Sequence, residues 1–166
     1  MTYLVTGVAG FIGFHVAQRL LQRGERVVGL DNLDSYYATA LKQRRLDALK
    51  PHHNAFRFVK CDISDSAALR SAASDIAITK IVHLAAQAGV RHSIDHPEAY
   101  GKTNLTGHLN MLELARHNDA LERMVYASSS SVYGANTKMP FSEDDPVEKP
   151  VSLYAASKRA DELMSI

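Results

Sequence analysis

An α/β fold with a doubly wound parallel sheet is predicted by two observations. Short apolar runs of strand length alternate with amphipathic stretches of helix length, and the first such pair is joined by a glycine turn. The first strand is Tyr3 to Val5, and Gly7, Gly10 and Gly13 lead into the helical pattern Phe11, Ile12, Val16, Leu20, Leu21. A second apolar run, Val27 to Leu30, ends on Asp31 and Asn32. Tyr36-Tyr37 and the polar, basic stretch Leu41 to Lys50 follow, the latter admitting a helix, before a third strand at Phe56 to Val59. Ser64 and Asp65 can cap the next helix, which carries Ala68, Leu69 and Ala72 and precedes a fourth strand, Ile81 to Leu84. A long helix with Leu105, Leu109, Leu112 and Leu114 then leads to a fifth strand, Met124 to Ala127. Met139 to Pro150 reads as a loop, and Pro150 and Ser152 open the last helix.

Size and composition bound the function. The 166 residues make one domain by the usual size prior, with an apolar fraction of 46% that supports an ordinary buried core. A net charge of +1 argues against a polyanion-binding surface, so no nucleic-acid partner is expected. Cys61 is the only cysteine, which rules out an intrachain disulfide. No secretory segment precedes the first strand and no apolar run approaches the roughly 20 residues of a membrane span, so a cytoplasmic protein without a membrane partner is the expectation.

The glycine turn has a mechanical reading. Gly7 permits the turn off the strand, Gly10 lets the backbone approach a pyrophosphate, and Gly13 lets the helix pack closely while its N-terminal amides face phosphate charge. A strand-to-helix turn without a ligand also uses glycine, but the acid at the end of the second strand moves the reading to a dinucleotide. Asp31 stands where a carboxylate accepts hydrogen bonds from ribose hydroxyls and repels a 2′-phosphate, which predicts NAD over NADP. Arg44 and Arg45 downstream are the residues that would offer a phosphate partner instead.

A second constellation carries proton chemistry. The fifth strand runs into Ser128-Ser129-Ser130-Ser131-Val132-Tyr133-Gly134, and Tyr154 and Lys158 stand four apart in the last helix, on one face. An ammonium one turn away stabilises a phenolate, so Tyr154 can act as a base, while a serine hydroxyl at the strand end holds the same substrate oxygen. Tyrosine and lysine at this spacing are commonplace; their coincidence with the serine run and the glycine turn makes the pattern specific.

With these motifs together, the whole chain resembles the extended short-chain dehydrogenase/reductases, Rossmann-like in fold, and within them the nucleotide-sugar 4-epimerases. GVAGFIG is similar to the family's glycine motif, Asp31-Asn32 to its ribose-binding pair, Asp62-Ile63 to its adenine-edge pair, and Leu84-Ala85-Ala86-Gln87 to the segment lining NAD. The resemblance gives Phe11 and Ile12 cofactor contacts and makes Asn104 the active-site asparagine that supports a proton relay through the lysine. Counting back from Val132-Tyr133-Gly134, the family's catalytic hydroxyl falls on Ser129, with Ser128 and Ser130 beside it in support; Tyr154 and Lys158 complete the set and also border the cofactor.

Two segments, DNLDSYYATALKQRRLDAL and LAAQAGVRHSIDHP, resemble UDP-glucuronate 4-epimerases more than UDP-galactose 4-epimerases. Arg91 suits an anionic group, the uronate carboxylate or a phosphate, and equally reads as a surface arginine. A 4,6-dehydratase needs acid and base carboxylates just after the strand-five hydroxyl, where this chain has Ser130 and Ser131. UDP-glucose or UDP-galactose epimerisation and dehydration remain alternatives, as does a module that only binds NAD or a partner.

The implied mechanism retains NAD as a catalyst on a UDP-sugar and requires no metal. His92 and His96 stand four apart, but Ile94 to Pro97 reads as a loop leading to a new helix, His52-His53 as a solvated turn, and His83 as a packed core residue. The resemblance further implies a homodimer formed through the long helix and the Tyr154 helix. Family members continue into a C-terminal lobe that holds the sugar, so residues 1–166 are expected to be an NAD-binding domain with that lobe absent and with little or no turnover.

Overall fold

The computed structural model describes residues 1–166. Five strands form one parallel sheet in the order β3-β2-β1-β4-β5: β1 (Thr2–Thr6), β2 (Arg26–Asp31), β3 (Phe56–Lys60), β4 (Lys80–His83) and β5 (Arg123–Tyr126). The chain thus builds outward from β1 to β3, returns, and builds the other way from β4. That reversal puts a switch point between β1 and β4, where open α/β sheets receive ligands beyond the carboxyl ends of their strands.

Both faces of the sheet are covered, as parallel strands require. Alternation along β1 sends Tyr3 and Val5 to one side, where they pack with Ala17, Leu20 and Leu21 of α1 (Phe11–Gln22) and Leu46 and Leu49 of α2 (Thr39–Leu49). Leu4 goes to the other side and joins Leu69 and Ala72 of α3 (Ser66–Ala73) and Met111 of α6 (Gly107–Arg116). This Rossmann-like arrangement is the one expected. Asp65 caps α3 by accepting the amides of Ala67 and Ala68 at 3.0 Å. Of the two candidate caps it is the one used, because Ser64 gives its hydroxyl to Asp62 Oδ1.

Although the size prior treats 1–166 as one domain, contacts gather the chain into two compact units. One comprises Met1–Ala85 with Asn110–Tyr126 and contains the whole sheet; the other comprises Ala86–Leu109 with Ala127–Ile166. The second unit contains α4 (His92–Asp95), α5 (Pro97–Tyr100) and α7 (Leu153–Met164).

Two expectations need correction there. Of Ile94 to Pro97, read as a loop, Ile94 and Asp95 close the one-turn helix α4; Pro97 forces the preceding His96 out of helical geometry, at φ −132 and ψ 58, and itself starts α5. The long helix around Leu105 is not uniform either, since a π-helical turn over Gly101–Thr106 separates α5 from α6. Gly, Thr and Asn are weak helix formers, and the wider turn buries the Asn104 side chain to 1% exposure. His83 is a packed core residue, as expected. No helix is long and apolar enough to cross a membrane, and no group of three His, Cys, Asp or Glu side chains is placed to hold a metal ion.

Candidate active site

The first unit holds the residues expected to take the nucleotide. Gly7 has φ +67, and a Cβ there would lie 2.9 Å from the Ala85 amide nitrogen; a Cβ on Gly13 would lie 2.1 Å from the Gly7 carbonyl oxygen. Only glycine lets the turn pass this close to the end of β4 and to its own helix. Gly10 caps α1 without a side chain, and no acid stands in the first turn, so the positive end of the helix is left for an anion. Phe11 and Ile12 follow it with their side chains 67% and 59% exposed, which leaves apolar surface at the mouth of the turn.

Asp31 binds this turn to β2. Its Oδ2 accepts the Ala9 amide at 3.0 Å and its Oδ1 the Leu33 amide at 2.8 Å, with Lys42 Nζ 4.0 Å from Oδ1. Asn32 is a turn residue, accepting the Asp34 amide at 2.9 Å. Arg45, one of the two possible 2′-phosphate partners, is already engaged: its Nη1 donates to the Ala9 carbonyl at 3.1 Å and to Tyr37 Oη at 2.9 Å.

At the end of β3, Asp62 Oδ1 accepts the Ser64 amide and hydroxyl, and the Ile63 carbonyl accepts from Asn110 Nδ2 at 2.9 Å, fixing the expected adenine edge. Leu84 and Ala85 both donate their amides to Thr6 Oγ1, at 3.1 and 3.0 Å. With its acceptor positions filled, the Thr6 hydroxyl donates to His83 Nδ1 at 2.7 Å. Thr6, which the sequence reading passed over, therefore anchors the segment after β4; its place directly before Gly7 was the available signal.

The second unit holds the residues expected to handle protons. Gln87 donates its amide to Asn104 Oδ1 at 2.8 Å, and Asn104 Nδ2 returns bonds to the Gln87 carbonyl at 3.1 Å and to Ser157 Oγ at 2.9 Å. Asn104 thus ties the segment beginning at Ala86 to the residue next to Lys158 rather than to the lysine itself. Lys158 Nζ donates to the Ala127 carbonyl at 3.0 Å and to Asp161 Oδ2 at 3.1 Å. Ser152 caps α7, accepting the Ala155 amide at 3.0 Å, and the Tyr154 amide donates to Ser93 Oγ at 3.3 Å, so Tyr154 is held from its own backbone.

The serine run divides by role. Ser129 Oγ accepts the amide and the hydroxyl of Ser131, at 3.2 and 2.9 Å. Ser128 instead gives its hydroxyl to Glu162 of α7, and Ser130 is exposed at the start of a 3-10 turn over Ser130–Tyr133. Arg91 is exposed just before α4.

Sequence reasoning also passed over Asp161 and His108, both 1% exposed. Asp161 stands three residues after Lys158, a spacing that was open to inspection. Burial pushes its carboxyl up, while Lys158 and His108 pull it back. Burial likewise pushes the His108 imidazole down. Ser165 Oγ donates to the Asp161 carbonyl at 2.8 Å, so His108 Nε2, at 2.9 Å from Ser165 Oγ, donates to that hydroxyl oxygen.

A parallel sheet with a glycine turn at its switch point, followed by serine, tyrosine and lysine after the fifth strand, defines an extended short-chain dehydrogenase/reductase. Residues 4–166 match the family model described as GDP-mannose 4,6 dehydratase, and the chain belongs to that family. Among curated proteins it is similar to a probable UDP-glucuronate 4-epimerase of Rhizobium meliloti, 50% identical over 165 residues, covering 99% of this chain and 48% of the relative. UDP-glucuronate 4-epimerase 4 of Arabidopsis thaliana is 46% identical over 162 residues, covering 98% and 37%. Among solved structures, the UDP-glucuronic acid 4-epimerase of Bacillus cereus, a tyrosine-to-phenylalanine mutant in complex with UDP-4-deoxy-4-fluoro-glucuronic acid and NAD, superposes with a TM-score of 0.86 at 32% identity, covering 99% and 51%. The UDP-glucose 4-epimerase of Thermotoga maritima gives 0.85 at 31%, covering 99% and 50%. The chain spans about half the length of the first curated relatives it matches.

Proposed function

We propose that this chain is the NAD-binding domain of a UDP-sugar 4-epimerase, acting on UDP-glucuronate and UDP-galacturonate, in the cytoplasm. The observation that carries the reading is the pairing of a turn too tight for any Cβ at Gly7 and Gly13 with Tyr154 and Lys158 one turn apart on α7. The first feature fits a pyrophosphate approaching backbone amides; the second fits proton abstraction from a sugar hydroxyl. Similarity to UDP-glucuronate 4-epimerases supports the uronate assignment.

NAD, when bound, supplies a reversible hydride acceptor for sugar C4, so that the hydroxyl carbon becomes a ketone and is then reduced on its other face. The protein's part is proton handling and positioning. Tyr154 takes the proton of the 4-hydroxyl and later returns it; Ser129 donates a hydrogen bond to the same oxygen; Lys158 stabilises the phenolate; Asn104, with Ser157, holds the backbone around the lysine. Asp31 takes the adenosine ribose, Asp62 and Ile63 the adenine edge, and Leu84 to Gln87 line the cofactor. Arg91 is assigned to the anionic part of the sugar nucleotide. Ser130 and Ser131, in place of carboxylates, weigh against dehydration.

In this reading the sugar is clamped by the part of the relatives beyond the match, and the exposed Leu105, Leu109 and Leu163 form the interface of a homodimer. The second reading is an NAD-binding module without turnover. Titration with NAD and NADP, and assays with UDP-glucuronate and UDP-glucose in this chain and in a chimera carrying the C-terminal half of the Rhizobium meliloti relative, separate the two. NAD binding with uronate turnover only in the chimera is expected. Preference for UDP-glucose would overturn the uronate assignment, and failure to bind NAD would overturn both readings.

A further inference from the structure

The catalytic lysine has a partner that the proposed reaction does not use. Lys158 is 5% exposed and Asp161 1% exposed, and the ammonium donates to Asp161 Oδ2 at 3.1 Å and to the neutral Ala127 carbonyl at 3.0 Å. The second carboxylate oxygen, Oδ1, is buried without a hydrogen-bond partner. An acid held this way, with one oxygen committed to a single cation, has its charge balanced by Lys158 and by little else on its own helix, where Glu162 adds a like charge. From α6 the buried His108 is tied through Ser165 to the Asp161 backbone and lies close enough to act on its carboxylate electrostatically. Tyr154, Lys158 and Asp161 follow one another at four and three residues, one face of α7. On the Tyr154 side that face meets Ser93 and the ring of Tyr100.

A buried ammonium and carboxylate in contact act at a distance as a dipole rather than as a positive charge. The help that Lys158 gives to a phenolate on the preceding turn is therefore smaller with Asp161 present than without it.

We propose that Asp161 is a positioning residue for Lys158: it holds the ammonium against the end of the fifth strand's chain at Ala127, and its charge limits how strongly Lys158 favours the Tyr154 phenolate. This rests on Tyr154 and Lys158 being the proton-handling pair, and the test keeps the two claims apart.

The chain labelled with tyrosine carrying 13C at Cζ gives a phenol titration for Tyr154, whose signal is identified by its loss in Tyr154→Phe. Lys158→Met raises the Tyr154 midpoint if the pair is real. Asp161→Asn, which keeps shape and removes charge, lowers it by about 0.5 in pH, a threefold gain in phenolate at fixed pH below the midpoint. Asp161→Glu, which restores the charge, leaves it near the wild-type position. A raised midpoint in Lys158→Met with no downward change in Asp161→Asn overturns the role of Asp161 alone, as does an equal fall in Asp161→Asn and Asp161→Glu. No change in Lys158→Met overturns the catalytic pair and this proposal with it.

Discussion

The backbone amide of Ala9 is bound to Asp31 Oδ2 at 3.0 Å, so the acid at the end of β2 holds the glycine turn that follows β1. Asp31 is thereby both a structural tie and the residue assigned to the ribose. Asp31→Ala is expected to weaken NAD by about 1 to 3 kcal/mol and to lower stability by a similar amount, since the Ala9 and Leu33 amides lose their acceptor. Calorimetric titration and urea unfolding measure the two losses separately. In the wild type NAD binds more tightly than NADP; equal affinity would remove the argument from Asp31.

Gly13→Ala tests the close approach of α1 to the turn. Its Cβ would stand 2.1 Å from the Gly7 carbonyl oxygen, which is backbone and has no side-chain freedom to move away. Overpacking of this kind costs about 1 to 3 kcal/mol, and NAD affinity falls with it. An unchanged unfolding midpoint would mean that the helix shifts freely relative to β1.

In the chimera, Tyr154→Phe removes the base and should lower turnover by a factor of about 100 to 10,000 while leaving NAD binding unaltered. Single-turnover kinetics with UDP-glucuronate read the first quantity and fluorescence titration the second. Loss of both together would point to a misfolded α7 instead.

His108 gives the chain a pH dependence. Burial holds its folded-state pKa below the usual value of 6.5, so the neutral ring contributes stability that is present above about pH 6.5 and is lost as the pH falls through the lowered folded-state value. Asp161 works with the opposite sign, because a raised carboxyl takes up its proton more readily when folded. His108→Gln should therefore flatten the fall in Tm below pH 6.5, and an identical slope in the variant would exclude His108 as its source.

Sedimentation at several concentrations tests self-association through Leu105, Leu109 and Leu163. A concentration-dependent dimer weakened by Leu109→Glu is expected, and a monomer at every concentration would contradict the assignment.

Much of the fold around the glycine turn was legible in the chain itself. The strand-turn-helix of residues 3–22, the acid ending β2 and the alternation that gives a parallel sheet all depend on local spacing, because period-2 and period-3.6 patterns and glycine positions are written along the sequence. The helix bearing Tyr154 and Lys158 was legible for the same reason, together with Ser152 as its cap.

What the sequence by itself determined is which residue types stand at which spacing; what only the tertiary structure decided is which of them meet. Asn104 was expected to serve the lysine, and folding spends its amide on Gln87, 17 residues away, and Ser157, 53 away. Lys158 was read with Tyr154, and folding also gives it Asp161 and the Ala127 carbonyl. Thr6 became the anchor of Leu84 and Ala85 only when β4 paired beside β1. Hydrogen bonds of this kind form between groups that burial removes from water, and burial is a property of the assembled chain, so no local pattern announces them.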